Sequence, residues 1–307
     1  MDSDEEQSNT AFTPLYQSTG RMYGVPAFQP GKDYHLGIVG ILYDLAVSNR
    51  PGTRFGPRAI REASGMCAWS QPYGWGFDPL TKLSLFDYGD IVPDYGMQKN
   101  TFQEIHTQIK SLLDVVPATL ALGGDHFISY PILRAYADKY GDNISLIQFD
   151  SHTDTWEDGT HNRIDHGSMF LHSINDKLIN PDKSVQVGIR THNDNTRGMN
   201  IIDAPSIHKN GLSNTVGKIR EIVGDNPVYL TFDIDFLDPA YAPGTGTPVC
   251  GGFSTYDAIT LLQGLSGLNI IGMDIVEVSP PYDHANITAL AAATIAMELM
   301  CLRAQVI

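Results

Sequence analysis

Short apolar, β-prone runs alternate with longer stretches of helical periodicity along most of the chain. The runs at residues 35–39, 84–88, 118–122, 144–149, 184–189, 228–232 and 270–273 predict strands. Helices are predicted from near Gly56 onward and over 101–113, 129–139, 215–223, 255–265 and 287–303. This order implies an α/β fold in which a mostly parallel sheet is covered by helices on both faces. No Pro/Ser-rich or single-sign linker and no internal repeat divides the chain, so one domain over 31–307 is expected behind a mobile N-terminal tail and arm at 1–30. The apolar stretch 287–304 is broken by Thr and Glu and is shorter than the roughly 20 residues that span a bilayer. It predicts a buried helix. The Pro- and Gly-rich segment 48–54 is either a plain connection or a place where backbone approaches a ligand or partner.

Three of the predicted strands run straight into polar segments: Gly-Gly-Asp-His at 123–126, Asp-Ser-His-Thr-Asp at 150–154 and Asp-Ile-Asp at 233–235. In open parallel sheets, ligands bind beyond the carboxyl ends of the strands, where these segments fall. Side chains alternate along extended backbone, so Asp150, His152 and Asp154 are expected to face one site, with Asp233 and Asp235 on another part of it. A single strand-end Asp often serves only as a cap or turn former. Several carboxylates brought together cannot all stay ionised without cations between them. With His126, the set offers two imidazoles and four carboxylates, a mixture that suits two divalent ions, Mn²⁺ above all, better than a thiolate-rich zinc site.

The chain resembles the ureohydrolases of the arginase and agmatinase family. The likeness runs from about residue 34 almost to the end and rests on long motifs: RPGTRFGPRAIREAS at 50–64, GGDHF at 123–127, FDSHTDTW at 149–156, DHGSMF at 165–170, TFDIDFLDPAYAPGTGTPVCGG at 231–252 and DIVEVSPPYD at 274–283. One departure is visible in a ligand motif: Ser151, where the family more often has Ala. The resemblance implies a three-layer α/β/α sandwich with a central eight-stranded sheet, two Mn²⁺ per subunit, and assembly as a homotrimer or homohexamer. It makes His126, Asp150, Asp154 and Asp233 ligands of one ion, and Asp150, His152, Asp233 and Asp235 ligands of the other, with a hydroxide bridging the pair. It also implies that Asp154 orients that hydroxide and carries its proton, that His166 is a proton shuttle, that Glu277 receives the substrate guanidinium, and that Thr247 helps to orient it. Asp125 is expected to support the ligands rather than join them. His161, His172, His192, His208, Trp69, Trp75 and Trp156 are expected in structural, surface or rim positions.

A formal charge of −15 argues against a nucleic-acid partner and is compatible with a small cationic guanidino substrate. Cys67, Cys250 and Cys301 are odd in number and scattered, and the first ten residues are acidic and polar, unlike a signal peptide. A cytoplasmic, membrane-free enzyme is expected. The likeness favours agmatine as substrate, giving putrescine and urea within polyamine synthesis. The segment 157–165 is expected to line the entrance, where its acids would favour an ammonium tail and Arg163, if turned inward, a carboxylate tail. Guanidino-acid hydrolysis (guanidinobutyrase or guanidinopropionase) is therefore the second reading. A catalytically silent family member is a third, and a single-zinc deacetylase-type hydrolase a more distant one.

Overall fold

The computed structural model describes residues 20–68, 71–141, 143–157 and 163–307. The acidic residues 1–10, Trp69, His161 and the middle of the expected entrance segment lie outside the described residues. Eight strands form one sheet: β1 (Leu36–Ile41), β2 (Leu85–Ile91), β3 (Thr119–Leu122), β4 (Ser145–Phe149), β5 (Val185–Val187), β6 (Asn200–Ile202), β7 (Val228–Asp233) and β8 (Ile270–Val276). Their order is β2-β1-β3-β8-β7-β4-β5-β6 and every pairing is parallel. The four middle strands β3, β8, β7 and β4 are therefore neighbours whose carboxyl ends share one edge. That edge carries the polar segments at 123–126, 150–154 and 233–235, and Glu277.

Helices cover both faces, making three layers. On one face lie α1 (Gly56–Ser64), α6 (Ala204–Asn210), α7 (Leu212–Val223), α8 (Thr255–Gly264) and α9 (Ile287–Gln305), over a core that includes Leu36, Leu120, Ile147, Leu230 and Ile275. The other face carries α3 (Thr101–Leu113), α4 (Ser129–Tyr140) and α5 (Met169–Asn175) over Val39, Ala121, Leu146 and Tyr229. Alternate residues of each central strand thus feed opposite cores, which is why β1, β3, β4, β7 and β8 read as mostly apolar runs rather than as alternating ones. α9 is apolar all round because it is packed on most sides. By length and composition it could cross a membrane, yet 78% of its most apolar 18-residue stretch is buried inside the fold.

Every predicted strand and helix is present, most with shifted ends and α3 with the predicted ones. α7 starts at Leu212 rather than 215, directly after Gly211, whose φ of 83° also ends α6. β6, α5, α6 and the single turn α2 (Pro79–Lys82) were not predicted, because three to seven residues are too few to display a period. The tail and arm expected over 1–30 must be narrowed. Met22, Tyr23 and Val25 are buried, and Tyr23 donates its hydroxyl to the Ala293 carbonyl of α9.

This segment is tied down by a buried charge pair. Asp87 on β2 accepts Met22 N–H at 2.8 Å and both Nε and Nη2 of Arg61 on α1, at 2.9 and 3.0 Å. Arg61 also reaches Asp90 at 2.5 Å. Removing the guanidinium leaves Asp87 charged and buried, which typically costs about 3–5 kcal/mol. We expect Arg61→Ala to lose about that much stability in denaturant unfolding; a loss below about 1 kcal/mol would show the pair to be energetically idle.

Candidate metal centre

β3 delivers Gly123-Gly124-Asp125-His126. A Cβ on Gly124 would lie 1.9 Å from the Tyr43 carbonyl oxygen, so only glycine lets this loop press against the chain leaving β1. His126 then opens a short 3₁₀ turn and turns Nδ1 towards three carboxylates: Asp154 Oδ2 at 2.9 Å, Asp150 Oδ2 at 3.2 Å and Asp233 Oδ2 at 3.3 Å. His152 Nδ1 faces Asp235 Oδ2 at 3.0 Å and Asp150 Oδ1 at 3.5 Å. Asp150 thus belongs to two adjoining donor groups, His126-Asp150-Asp233 and Asp150-His152-Asp235. All six predicted ligands converge. Neighbouring ligands of an octahedral divalent ion with bonds of about 2.1 Å lie about 3 Å apart, which these spacings match.

Strict alternation does not describe how they arrive. Asp154 enters through a left-handed residue, φ 53°, and Asp235 sits in the 3₁₀ turn Ile234–Phe236 rather than on extended chain. Glu277, immediately after β8, also has positive φ, 64°. Left-handed backbone is unusual away from glycine and tends to gather at functional sites.

Three of the four carboxylates accept hydrogen bonds from neighbouring protein groups, Asp150 on both of its oxygens. Asp150 accepts His152 N–H at 2.6 Å and the Gln148 amide at 2.8 Å, Asp233 accepts Asp235 N–H at 2.8 Å, and Asp235 accepts both the N–H and the hydroxyl of Ser151 at 3.0 and 2.8 Å. His126 is restrained from behind. Its Nε2 lies 2.8 Å from Thr231 Oγ1, whose hydroxyl donates to fully buried Asp274 at 2.5 Å, and Asp274 also accepts Ser129 and Tyr229 hydroxyls, each at 2.7 Å. Since the Thr231 proton goes to Asp274, its oxygen accepts Nε2–H. The Nδ1 lone pair therefore points into the carboxylates, and Nδ1 has no hydrogen-bond donor or acceptor of its own there. A bare lone pair among carboxylates is stable only with a cation between them, so the donor set fits a divalent ion.

The cluster draws positive charge strongly. Burial disfavours charged imidazoles, yet Asp235 and Asp150 outweigh it and push His152 up to about 12. Asp154 is raised to about 7 by burial and by Asp150, while Asp233 is raised well above the carboxylate range by burial, Asp235 and Asp150. Asp150 is also buried, but contacts from His126 and His152 reverse the effect and hold it low.

A cavity of about 250 Å³ opens over these groups, lined by His152, Asp154, Asp233, Thr247, His166 and Glu277 among others. Glu277 Oε1 accepts His126 N–H at 2.9 Å and pairs with His166 Nδ1 at 3.0 Å. Its Oε2 is buried without a partner. Thr247 Oγ1 lies 3.5 Å from Asp235 Oδ2, and Trp156 forms part of the wall. Arg163 is placed differently: its Nε pairs with Asp165 Oδ2 at 3.1 Å, its side chain is 57% exposed, and it lines a neighbouring hollow rather than this cavity. Asp125 is fully buried and accepts Ala46 N–H at 2.9 Å. His192 is exposed, His208 stacks on Phe253, and Trp75 donates to Glu298. Thr231, Asp274 and Gln148 went unnoticed in the sequence, although a Thr and an Asp inside apolar strands were a signal that they bond something buried.

A model of the arginase family matches residues 34–302. An agmatinase of Chromobacterium violaceum is 48% identical over 265 residues, covering 86% of this chain and 82% of that protein. Among solved structures, a hypothetical agmatinase from Burkholderia thailandensis superimposes with a TM-score of 0.91 at 45% identity, covering 95% of this chain and 92% of that one. Proclavaminate amidino hydrolase from Streptomyces clavuligerus does so at 0.90 with 36% identity, covering 95% and 99%. The chain belongs to the arginase family. Within it, the chain is a ureohydrolase of the agmatinase type.

Because protons and metal compete for the same atoms, loading the metal-free protein with Mn²⁺ should release protons. Calorimetric titration in buffers of different ionisation enthalpy should give different apparent heats, and affinity should weaken as pH falls. Identical heats across buffers would contradict ligation by these groups. Thr231→Val removes the acceptor of His126 Nε2–H and should weaken metal binding by about 10–100-fold, whereas Thr231→Ser should retain it.

Proposed function

We propose that this protein hydrolyses the guanidinium of agmatine to putrescine and urea over a pair of Mn²⁺ ions. The observation that carries the reading is the donor cluster that shares a small cavity with Glu277, whose Oε2 is buried without a hydrogen-bond partner. His126, Asp150, Asp154 and Asp233 would hold one ion, and Asp150, His152, Asp233 and Asp235 the other, with Asp150 and Asp233 shared. Bound there, the ions supply the Lewis acidity that ionises water near neutral pH.

The protein's own groups do the rest. Glu277 takes the guanidinium by a charge-assisted contact through Oε2, fixing the carbon over the donor cluster. Thr247, on the wall beside Asp235, orients the same group. Asp154 holds the attacking oxygen and receives its proton. His166, in contact with Glu277, passes a proton to the departing nitrogen, so that the tetrahedral adduct collapses to urea and amine. The cavity excludes bulk water from the reacting carbon while leaving the substrate's tail at the entrance.

Agmatine is favoured because the curated relative is an agmatinase and because Arg163, the candidate partner for a carboxylate tail, is engaged by Asp165 outside the cavity. The filled ligand set speaks against a silent family member, and the reading carries with it a cytoplasmic role in polyamine synthesis as a homotrimer or homohexamer. Urea release measured with Mn²⁺ over agmatine, arginine, 4-guanidinobutyrate and 3-guanidinopropionate should give agmatine the highest kcat/KM. A guanidino acid outperforming it would transfer the assignment to guanidino-acid hydrolysis. His166→Ala should lower kcat by about 10²-fold or more while leaving metal content near normal. Near-normal turnover across pH would remove His166 from the proton path.

A further inference from the structure

The segment leaving β1 folds back over the cavity and is fastened at both ends. Asp44 accepts Gly52 N–H at 2.8 Å and Arg54 Nε at 2.5 Å, while Asp125 accepts Ala46 N–H at 2.9 Å. Between these anchors it meets His166 twice through main-chain atoms. His166 N–H donates to the Ala46 carbonyl at 3.2 Å, and Ser48 N–H donates to His166 Nε2 at 3.0 Å. The other ring nitrogen, Nδ1, lies 3.0 Å from Glu277 Oε1. Glu277 N–H in turn donates to the Gly124 carbonyl at 2.9 Å, next to Asp125, which closes a ring of hydrogen bonds through three loops.

A backbone N–H can only donate, so Nε2 must accept and carries no proton in this arrangement. The proton of the neutral ring then sits on Nδ1, where Glu277 accepts it. We propose that the main-chain N–H of Ser48 is a positioning group that holds His166 as the neutral Nδ1–H tautomer, so that charging His166 requires residues 46–48 to let go. An imidazolium has N–H on both nitrogens, and its Nε2–H would be directed at the Ser48 N–H. Charging the ring and keeping this contact are mutually exclusive.

Other groups pull the opposite way. Burial disfavours the imidazolium, but Glu277 from the end of β8, Asp125 from the β3 loop and Asp154 from the β4 loop outweigh it and lift His166 to about 9. Asp165, next in the chain, is already occupied by Arg163 and by the Ser168 hydroxyl at 2.9 Å. Residues 46–48 bring no charge of their own. The Ser48 N–H is thus the one contact in this ring that favours the neutral form against three acids. The consequence for the proton step proposed above is that His166 takes up a proton only as the segment opens, which ties proton movement to access at the cavity mouth.

The test reads the imidazole itself and needs no turnover, so a failure to detect urea release would leave it intact. Protein labelled with ¹⁵N-histidine and loaded with diamagnetic Mg²⁺ is titrated by NMR, with His166 identified by the signals missing from His166→Gln. Above its pKa, His166 should show a protonated Nδ1 and a bare, hydrogen-bonded Nε2. Ser48→Pro deletes the donor and should raise the His166 pKa by about one unit, the size of a single hydrogen bond. Ser48→Ala keeps the N–H and should titrate like the parent. An Nε2–H tautomer in the parent, or equal His166 pKa values in Ser48→Pro and Ser48→Ala, would overturn the proposal. Should Ser48→Pro fail to fold, the parent's tautomer decides alone.

Discussion

Four carboxylates within contact of two imidazoles and almost wholly withdrawn from water form an arrangement that the protein can hold only with positive charge between them. Everything else at this edge of the sheet serves that constraint. Four adjacent parallel strands end together, so acids separated by more than eighty positions in the chain come within 4.8 Å of one another. The backbone leaves regular geometry at Asp154 and Glu277, where direction matters more than conformational ease. Burial, which raises the cost of each charge, also strengthens each attraction to a cation by lowering the local dielectric.

Behind the ligands lies a second tier of hydrogen bonds that decides which atoms remain available. Ser151, Gln148 and the local backbone bond Asp150, Asp233 and Asp235, and the Thr231-Asp274 pair fixes the orientation of His126. The result is that the oxygens and nitrogens left over point inward. The substrate side is organised on the same principle. Glu277 spends one oxygen on the protein and leaves the other bare, and His166 is spanned between Glu277 and the backbone of Ser48.

Much of this was legible in the sequence because it obeys local rules. Apolar runs ending in Gly-Gly-Asp-His, Asp-Ser-His-Thr-Asp and Asp-Ile-Asp marked both the strands and the residues that converge at their ends, and buried strands announce themselves through near-continuous hydrophobicity. What escaped was either too short or not local. β6 offers three residues, one of them polar, and gives no period. Thr231 and Asp274 become partners only because β7 and β8 pair in a register that puts them side by side, which no spacing along the chain encodes. Ser48 acts through its N–H, and a main-chain donor has no side-chain signature. The placement of Arg163 likewise depends on a loop conformation that composition does not determine.

The central claim is that these six side chains bind two divalent ions that share Asp150. Anomalous diffraction from crystals grown with Mn²⁺ tests it directly. Two peaks about 3.5 Å apart, with Asp150 between them and His126 and His152 on opposite sides, are what the account predicts. A single peak, or manganese bound away from the ends of β3, β4 and β7, would contradict it.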